Sequence, residues 1–353
     1  MRGKICGTGS CVPGHILDND ALSQMVDTSD AWIRERTGVA RRHIIEEETT
    51  VSMAAEAARR ALENGNVQPE EIDLLIVCTF TSEVLLPCAA CEVQKELGAV
   101  HAACFDLNAA CTGFLFAYNT AQAYIAAGLC RTALLIGSES LSNMVNWKDR
   151  GTCILFGDGA GAAVLRAEPG ELPSPVMHSD GAAGPALTLM SRHRKGWAEE
   201  KNAGQKPAAS LAGQDPQGNM AEVLPIQSHV DQASIHPEEF IRMDGREVFR
   251  FAVKRVPEVI RELLDSSGMG PEEIDYFVLH QANRRIVESV AKRLDAEIEK
   301  FPMNLEEYGN TSSASIPILL DEMNRDGRLK SGQTIVLAGF GAGLSWGAAI
   351  LKW

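Results

Sequence analysis

A chain of 353 residues that is 45% hydrophobic and 23% charged can bury a large core, as one big domain or two closely packed ones. Its formal net charge of −14 argues against nucleic acid or an anionic membrane as the main partner, a local basic patch aside. No apolar run approaches the roughly 18 residues of a spanning helix.

The first residues, Met1 to Cys6, read straight into a strand and lack the apolar core of a signal peptide. Nine cysteines, an odd number lying between Cys6 and Cys153, are expected to be reduced thiols in a cytoplasmic protein. Cys88 and Cys91 have a metal-like spacing with no second pair to match, so no metal site is expected. An amphipathic helix over 51–63 leads into Pro69-Glu70-Glu71-Ile72-Asp73 and a buried strand through Val77. The same order returns later: a helix over 246–266, Pro271-Glu272-Glu273-Ile274-Asp275, and a strand through Leu279. The glycine-punctuated segments 133–137 and 156–165 are echoed by 334–343 and 347–351. A period this long marks a duplicated half-domain. Strands alternating with helices imply mostly parallel sheets covered on both faces, with sites at the strand ends. We therefore expect an α/β protein with an N-terminal half over 1–170 and a C-terminal half over 171–353. The segment 191–236, rich in Ala, Gly, Gln, Pro and Lys, interrupts the second half as an insertion without regular structure.

Three residues stand at comparable strand-to-helix junctions. Cys111 lies in Asn108-Ala109-Ala110-Cys111-Thr112-Gly113, before a helical pattern that runs to about Ala127. Small neighbours permit a sharp turn, and a helix N-terminus is expected to favour thiolate and to hold an oxyanion. His280 ends the second repeated strand, just before a helix over 284–294, and Asn310 sits in Gly309-Asn310-Thr311-Ser312. Alone, each has a bland reading: a small buried Cys, a core His, a helix cap. Together they suit acyl transfer to a thiolate, with His and Asn donating to an enolate oxygen. A carboxylate in place of Asn310 would suit proton abstraction better, so the trio points to decarboxylative carbon–carbon bond formation. The turn Gly341-Ala342-Gly343 is placed to bring a second backbone N–H to an oxyanion hole.

These motifs, with Asp149-Arg150-Gly151-Thr152 and Phe156-Gly157-Asp158-Gly159, resemble the β-ketoacyl-acyl-carrier-protein synthase III family of the thiolase superfamily along the whole chain, the 191–236 segment excepted. The resemblance implies two βαβ halves in a five-layered α-β-α-β-α arrangement. It implies Cys111 as acylated nucleophile, His280 and Asn310 as the decarboxylating pair, and the amides of Cys111 and Ala342 as oxyanion hole. Trp32 and Arg150 would sandwich the adenine of coenzyme A, Arg36 would approach its phosphates, and Gly245, Phe249, Ala282 and Asn283 would line the pantetheine tunnel. Basic residues on two helices (Arg250, Lys254, Arg255, Arg284, Arg285, Lys292 and Arg293) would face an acidic carrier protein; Arg285 and Lys292 match the family's docking positions. Leu86 stands where some members place a Phe that crosses the dimer to close the acyl pocket. The family further implies an acyl-CoA primer, malonyl-acyl-carrier protein, a homodimer and no cofactor beyond the coenzyme A thioester. A flap formed by 191–236 and a specialised relative of secondary metabolism or cofactor synthesis remain open at this point.

Overall fold

The computed structural model describes residues 1–191 and 239–353. The 191–236 insertion, apart from Ser191, lies outside the described residues. In chain order the first strands are β1 (Arg2–Cys11), β2 (His15–Asp18), β3 (Arg41–Ile44), β4 (Leu74–Cys78), β5 (Ala103–Leu107), β6 (Thr132–Glu139) and β7 (Gly159–Glu168). They are followed by β8 (Val176–Ser179), β9 (Leu187–Thr188), β10 (Arg242–Met243), β11 (Tyr276–Leu279), β12 (Thr334–Gly341) and β13 (Ser345–Lys352). A five-stranded sheet has the order β1-β7-β6-β4-β5 and a four-stranded sheet the order β11-β12-β13-β8. In both, the central strands run parallel, β4 with β5 and β6, and β11 with β12, while the hairpin partners β7 and β13 run antiparallel.

Strand side chains alternate between two buried layers, as apolar runs in a doubly covered sheet require. Leu74, Ile76 and Cys78 pack inward against Phe114, Leu115, Leu319 and Leu320, on the helices Gly113–Ala126 and Ser315–Arg325. Leu75 and Val77 point the other way, against Ala54, Ala57, Ala58 and Ala61 of the helix Thr50–Gly65. Thr49 and Ser52 close a capping box that starts this helix, and its alanine-rich face lets it sit close to the sheet. The second sheet repeats the pattern. Ile335 and Leu337 face the shared middle layer, and Val336 and Ala338 face the helices Gly245–Ser267 and Arg284–Leu294. The result is five layers, helix, sheet, helix, sheet, helix. Each fully buried Leu or Ile in them contributes about 1.5–3 kcal/mol.

The internal repeat has a structural counterpart. Pro69–Glu71 and Pro271–Glu273 are both single 3-10 turns. Asp73 Oδ2 then accepts from Thr132 N at 3.0 Å, and Asp275 Oδ2 accepts from Thr334 N at 2.7 Å; 59 residues separate the partners in each pair. Each aspartate thus ties its own strand to the next one in. The two middle-layer helices are entered by matching 3-10 turns, Ala110–Thr112 and Ser312–Ala314. Ala110 has φ +46° and Ser312 φ +50°, a left-handed kink just before Cys111 in one copy and Ser313 in the other. Among the described residues, no helix is long and apolar enough to cross a membrane.

Candidate active site

The kink at Ala110 turns the chain out of β5 and sets Cys111 at the seam between the sheets. The hairpin that ends β12 lies directly over it. A Cβ on Gly341 would sit 2.9 Å from Cys111 N and 3.0 Å from Cys111 Cβ, so only glycine admits this approach. Ala342 follows in that turn, and its carbonyl accepts from Ser345 Oγ at 3.3 Å. Thr112 Oγ1 meets the same Ser345 Oγ at 2.8 Å, which joins the Cys111 turn to the hairpin.

His280 continues the β11 ladder by donating its N–H to Ala338 O at 2.9 Å, and it is 2% exposed. A Cβ on Gly339 would lie 3.8 Å from both His280 Cβ and Cys111 O, so the two residues flank one point of β12. The ring meets Phe340 edge-on at 5.5 Å, and Nδ1 lies 2.7 Å from Ser315 Oγ. Ser315 Oγ also accepts from Gln281 N at 3.4 Å; when its hydroxyl donates to Nδ1, the imidazole carries its own proton on Nε2. Burial pulls the His280 pKa down to about 3, so the ring is a neutral donor.

Asn310 is pinned through its backbone, its N–H donating to Leu155 O at 2.8 Å and its carbonyl accepting from Gly157 N at 3.1 Å. Asn310 Oδ1 accepts from Ser312 N at 2.9 Å, which leaves Nδ2 as a donor without a protein partner among the described residues. Ser312 in turn is buried, and its hydroxyl makes no well-aligned hydrogen bond of its own. It is the side chain that pulls the Cys111 thiol toward ionisation.

That pull does not win. Cys111 keeps some accessible surface, yet the protein around its sulfur pushes the pKa up to about 12 through burial, with the Glu139 carboxyl adding to the rise. Burial thus opposes the thiolate that the helix end is expected to favour.

The residues assigned to coenzyme A gather elsewhere on the surface. Trp32, on the helix Asp30–Thr37, carries the guanidinium of Arg36 at 4.7 Å and that of Arg150 at 5.0 Å from its ring centroid. Arg150 also donates to Asp27 O at 2.7 Å, so it rests on the indole that an adenine would share. Asn283 caps the helix Arg284–Leu294 by accepting from Arg285 N at 2.9 Å and donates to Arg36 O at 3.0 Å. It thereby fastens the Trp32 helix to the basic helix. Phe249 lies under Arg285, 5.3 Å from ring centroid to guanidinium, and Ala282 packs into the same cluster. Gly245 opens the helix that carries Phe249, behind the Asp244 cap. Arg250 and Lys292 are exposed and, among the described residues, form no ion pair with a carboxylate, unlike Arg255 and Arg284. Leu86 is 88% exposed beside Val84 and Leu85, so it lines no pocket of its own chain. The Cys88 and Cys91 thiols are 3.5 Å apart.

Sequence reasoning missed three residues that hold the trio. Ser315 bonds the His280 ring and Ser312 lies in the turn packed against that of Cys111; both sit in the Ser-rich run after Asn310, which was their only signal. Arg42, fully buried, donates to Leu17 O, Asn19 Oδ1 and Ile154 O and braces the loop that pairs with Asn310. Nothing in the sequence around it announced a buried guanidinium.

A cysteine at a kinked helix entrance, a neutral histidine and an amide donor, set between two such layered halves, define a condensing acyltransferase of the thiolase fold. A family model described as 3-oxoacyl-[acyl-carrier-protein] synthase III matches residues 105–182, and the model of that family's C-terminal part matches 264–353. The β-ketoacyl-[acyl-carrier-protein] synthase III of Clostridium acetobutylicum is 45% identical, over 99% of this chain and 98% of its own. The chain belongs to the β-ketoacyl-[acyl-carrier-protein] synthase III family. The 3-oxoacyl-[acyl-carrier-protein] synthase III of Aquifex aeolicus superposes with a TM-score of 0.84 at 38% identity, covering 99% of this chain and 100% of that one. A priming β-ketosynthase of a polyketide pathway superposes with a TM-score of 0.84 at 33% identity, covering 99% and 96%.

Proposed function

We propose that the chain initiates fatty-acid synthesis by condensing an acyl-CoA primer with malonyl-acyl-carrier protein, giving β-ketoacyl-acyl-carrier protein, coenzyme A and carbon dioxide. The observation that carries this reading is the pairing of a buried thiol with two neutral side chains, the His280 imidazole and the Asn310 amide, neither of which, among the described residues, is bonded to a carboxylate. In the first half-reaction Cys111 Sγ attacks the primer thioester, the amides of Cys111 and Ala342 hold the oxyanion, and the thiol proton leaves with coenzyme A. In the second, the malonyl group loses carbon dioxide, and His280 and Asn310 donate to the enolate oxygen that forms. The carbanion attacks the acyl group on Cys111, and a solvent proton restores the thiol. A thiol whose resting pKa is about 12 recaptures that proton readily.

Coenzyme A is substrate here, with Trp32, Arg150 and Arg36 at its nucleotide and Gly245, Phe249, Ala282 and Asn283 along its pantetheine arm. Stacking an adenine between Trp32 and Arg150 requires the arginine to lift from the indole. A homodimer is part of the reading: β5 leaves one edge of the five-stranded sheet open, and Val84, Leu85 and Leu86 are exposed together. In the dimer Leu86 would reach the partner's acyl pocket. Nine free cysteines suit the reducing cytoplasm.

Incubation with acyl-CoAs from acetyl through branched to medium-chain, followed by peptide mass mapping, tests the assignment. An acetyl or short branched adduct on Cys111 is expected. Labelling only by longer acyl groups would favour a specialised primer, a second reading that the likeness to the priming β-ketosynthase and the small Leu86 support. Absence of any adduct on Cys111 would overturn the mechanism.

Carrier-protein docking is assigned to Arg250, Arg285 and Lys292. Because Arg285 also covers Phe249, the cleaner variant is Arg250→Glu with Lys292→Glu. It is expected to raise KM for the malonyl carrier about tenfold or more while leaving KM for acyl-CoA in place. Equal effects on both substrates would remove these residues from docking.

A further inference from the structure

Glu139, at the end of β6, is 0% exposed, and among the described residues no cation pairs with it. Its Oε2 accepts from Thr81 Oγ1 at 2.9 Å, Thr79 Oγ1 at 3.2 Å and Phe80 N at 3.3 Å. Both threonine oxygens accept from amides, those of Ser140 and Thr81, so their protons are available for the carboxyl. Oε1 lies 3.0 Å from Ser313 Oγ. Ser313 has one hydroxyl proton, and at 2.8 Å it faces the carbonyl of Cys78, which can only accept. With Ser313 donating to Cys78 O, a protonated Glu139 donates to Ser313 and both contacts are served. A carboxylate with no cation would also be costly at this depth.

The acid is coupled to the nucleophile. Ser313 follows Ser312, and their turn packs against the Ala110–Thr112 turn that carries Cys111. A Cβ on Gly113, which opens the Cys111 helix, would lie 3.0 Å from Cys78 Cβ and 3.3 Å from Ser313 Cβ. A charge on Glu139 pushes the Cys78 and Cys111 thiols upward. His280 responds to burial alone.

We infer that Glu139 is a positioning residue for acyl transfer, held as a neutral carboxylic acid that locks Ser313 beneath the Cys111 turn and whose ionisation suppresses the thiolate of Cys111. The inference rests on Cys111 being the nucleophile. Burial raises the Glu139 pKa to about 7, so the suppression sets in near neutrality.

The test is the pH dependence of Cys111 alkylation by iodoacetamide, read by peptide mapping so that Cys78 is scored separately, in the wild type and in Glu139→Gln. The amide keeps an acceptor toward the threonines and a donor toward Ser313, and it is neutral at every pH. In Glu139→Gln the rate should climb evenly with pH. In the wild type the climb should flatten across neutrality, leaving a deficit of at least about threefold by pH 8.5, half a pKa unit of the thiol. Superimposable profiles would overturn the inference, whatever the variant's melting temperature does. Thermal unfolding of Glu139→Ala, with Ser313 left unpartnered, separates a loss of packing from the loss of the titration. If the acyl-CoA panel fails to label Cys111 in either protein, it is the nucleophile assignment that has failed; equal labelling with equal profiles isolates the failure to Glu139.

Discussion

Cys111→Ser is expected to lower condensation by at least about 10³-fold and to abolish the stable acyl adduct, with the fold unchanged. The hydroxyl fits the space, since the turn is fixed by the Ala110 kink and by Thr112 rather than by the sulfur. It fails because a serine hydroxyl in this pocket has no carboxylate-backed base to activate it: the His280 ring meets Ser315 at Nδ1, not a carboxylate. Decarboxylation of malonyl-acyl-carrier protein should survive in Cys111→Ala, because in the proposed mechanism His280 and Asn310 donate to the enolate. The two activities are separable by counting carbon dioxide against β-ketoacyl product. Condensation at the wild-type rate in Cys111→Ser would show that the acyl group is carried elsewhere.

His280→Ala should have the opposite signature. Removing a preorganised donor to a developing oxyanion costs about 10²–10³-fold. That loss should fall on decarboxylation, with acylation of Cys111 by acyl-CoA largely retained. The pH dependence follows from the depressed pKa. Since the folded-state value is about 3 against an ordinary 6.5, the ring is neutral in the folded protein over the whole interval between them. Acidification from about pH 8 to pH 5 therefore takes no activity away through this group. Stability behaves differently. Between those two values the unfolded chain binds a proton that the folded chain refuses, so stability is lost as pH falls from about 6.5 toward 3. His280→Ala should consequently lose less melting temperature than the wild type on acidification. Equal losses of acylation and decarboxylation would place His280 in both half-reactions and refute the division drawn here.

The fold was legible because its signals are redundant. Asp73 and Asp275 stand in copies of one phrase, and each does the same work 59 residues from its threonine partner. Doubly buried strands such as β4 and β12 cannot be mistaken for exposed ones. The proposed trio was chosen from the turn chemistry around it, Ala110 and Gly113 at Cys111, Gly309 at Asn310. What stayed hidden depends on groups brought together from distant segments. Glu139 reads as an ordinary acidic residue at a strand end until Thr79, Thr81 and Ser313 close round it. The direction of the Cys111 shift was hidden for the same reason. A helix terminus is visible in sequence; the amount of protein that will cover a sulfur is not.

The two kinked turns at Ala110 and Ser312 imply a history. If one ancestral unit once paired with an identical copy, each brought an equivalent elbow to the seam, and chemistry was possible at both. Fusion of the copies into one polypeptide freed them to diverge. One elbow carries a sulfur, the other a hydroxyl that bonds Cys78 O and Glu139. The asymmetry between Cys111 and Ser313 is thus a division of labour, one elbow presenting a thiol at the seam and the other bracing the strand beside it.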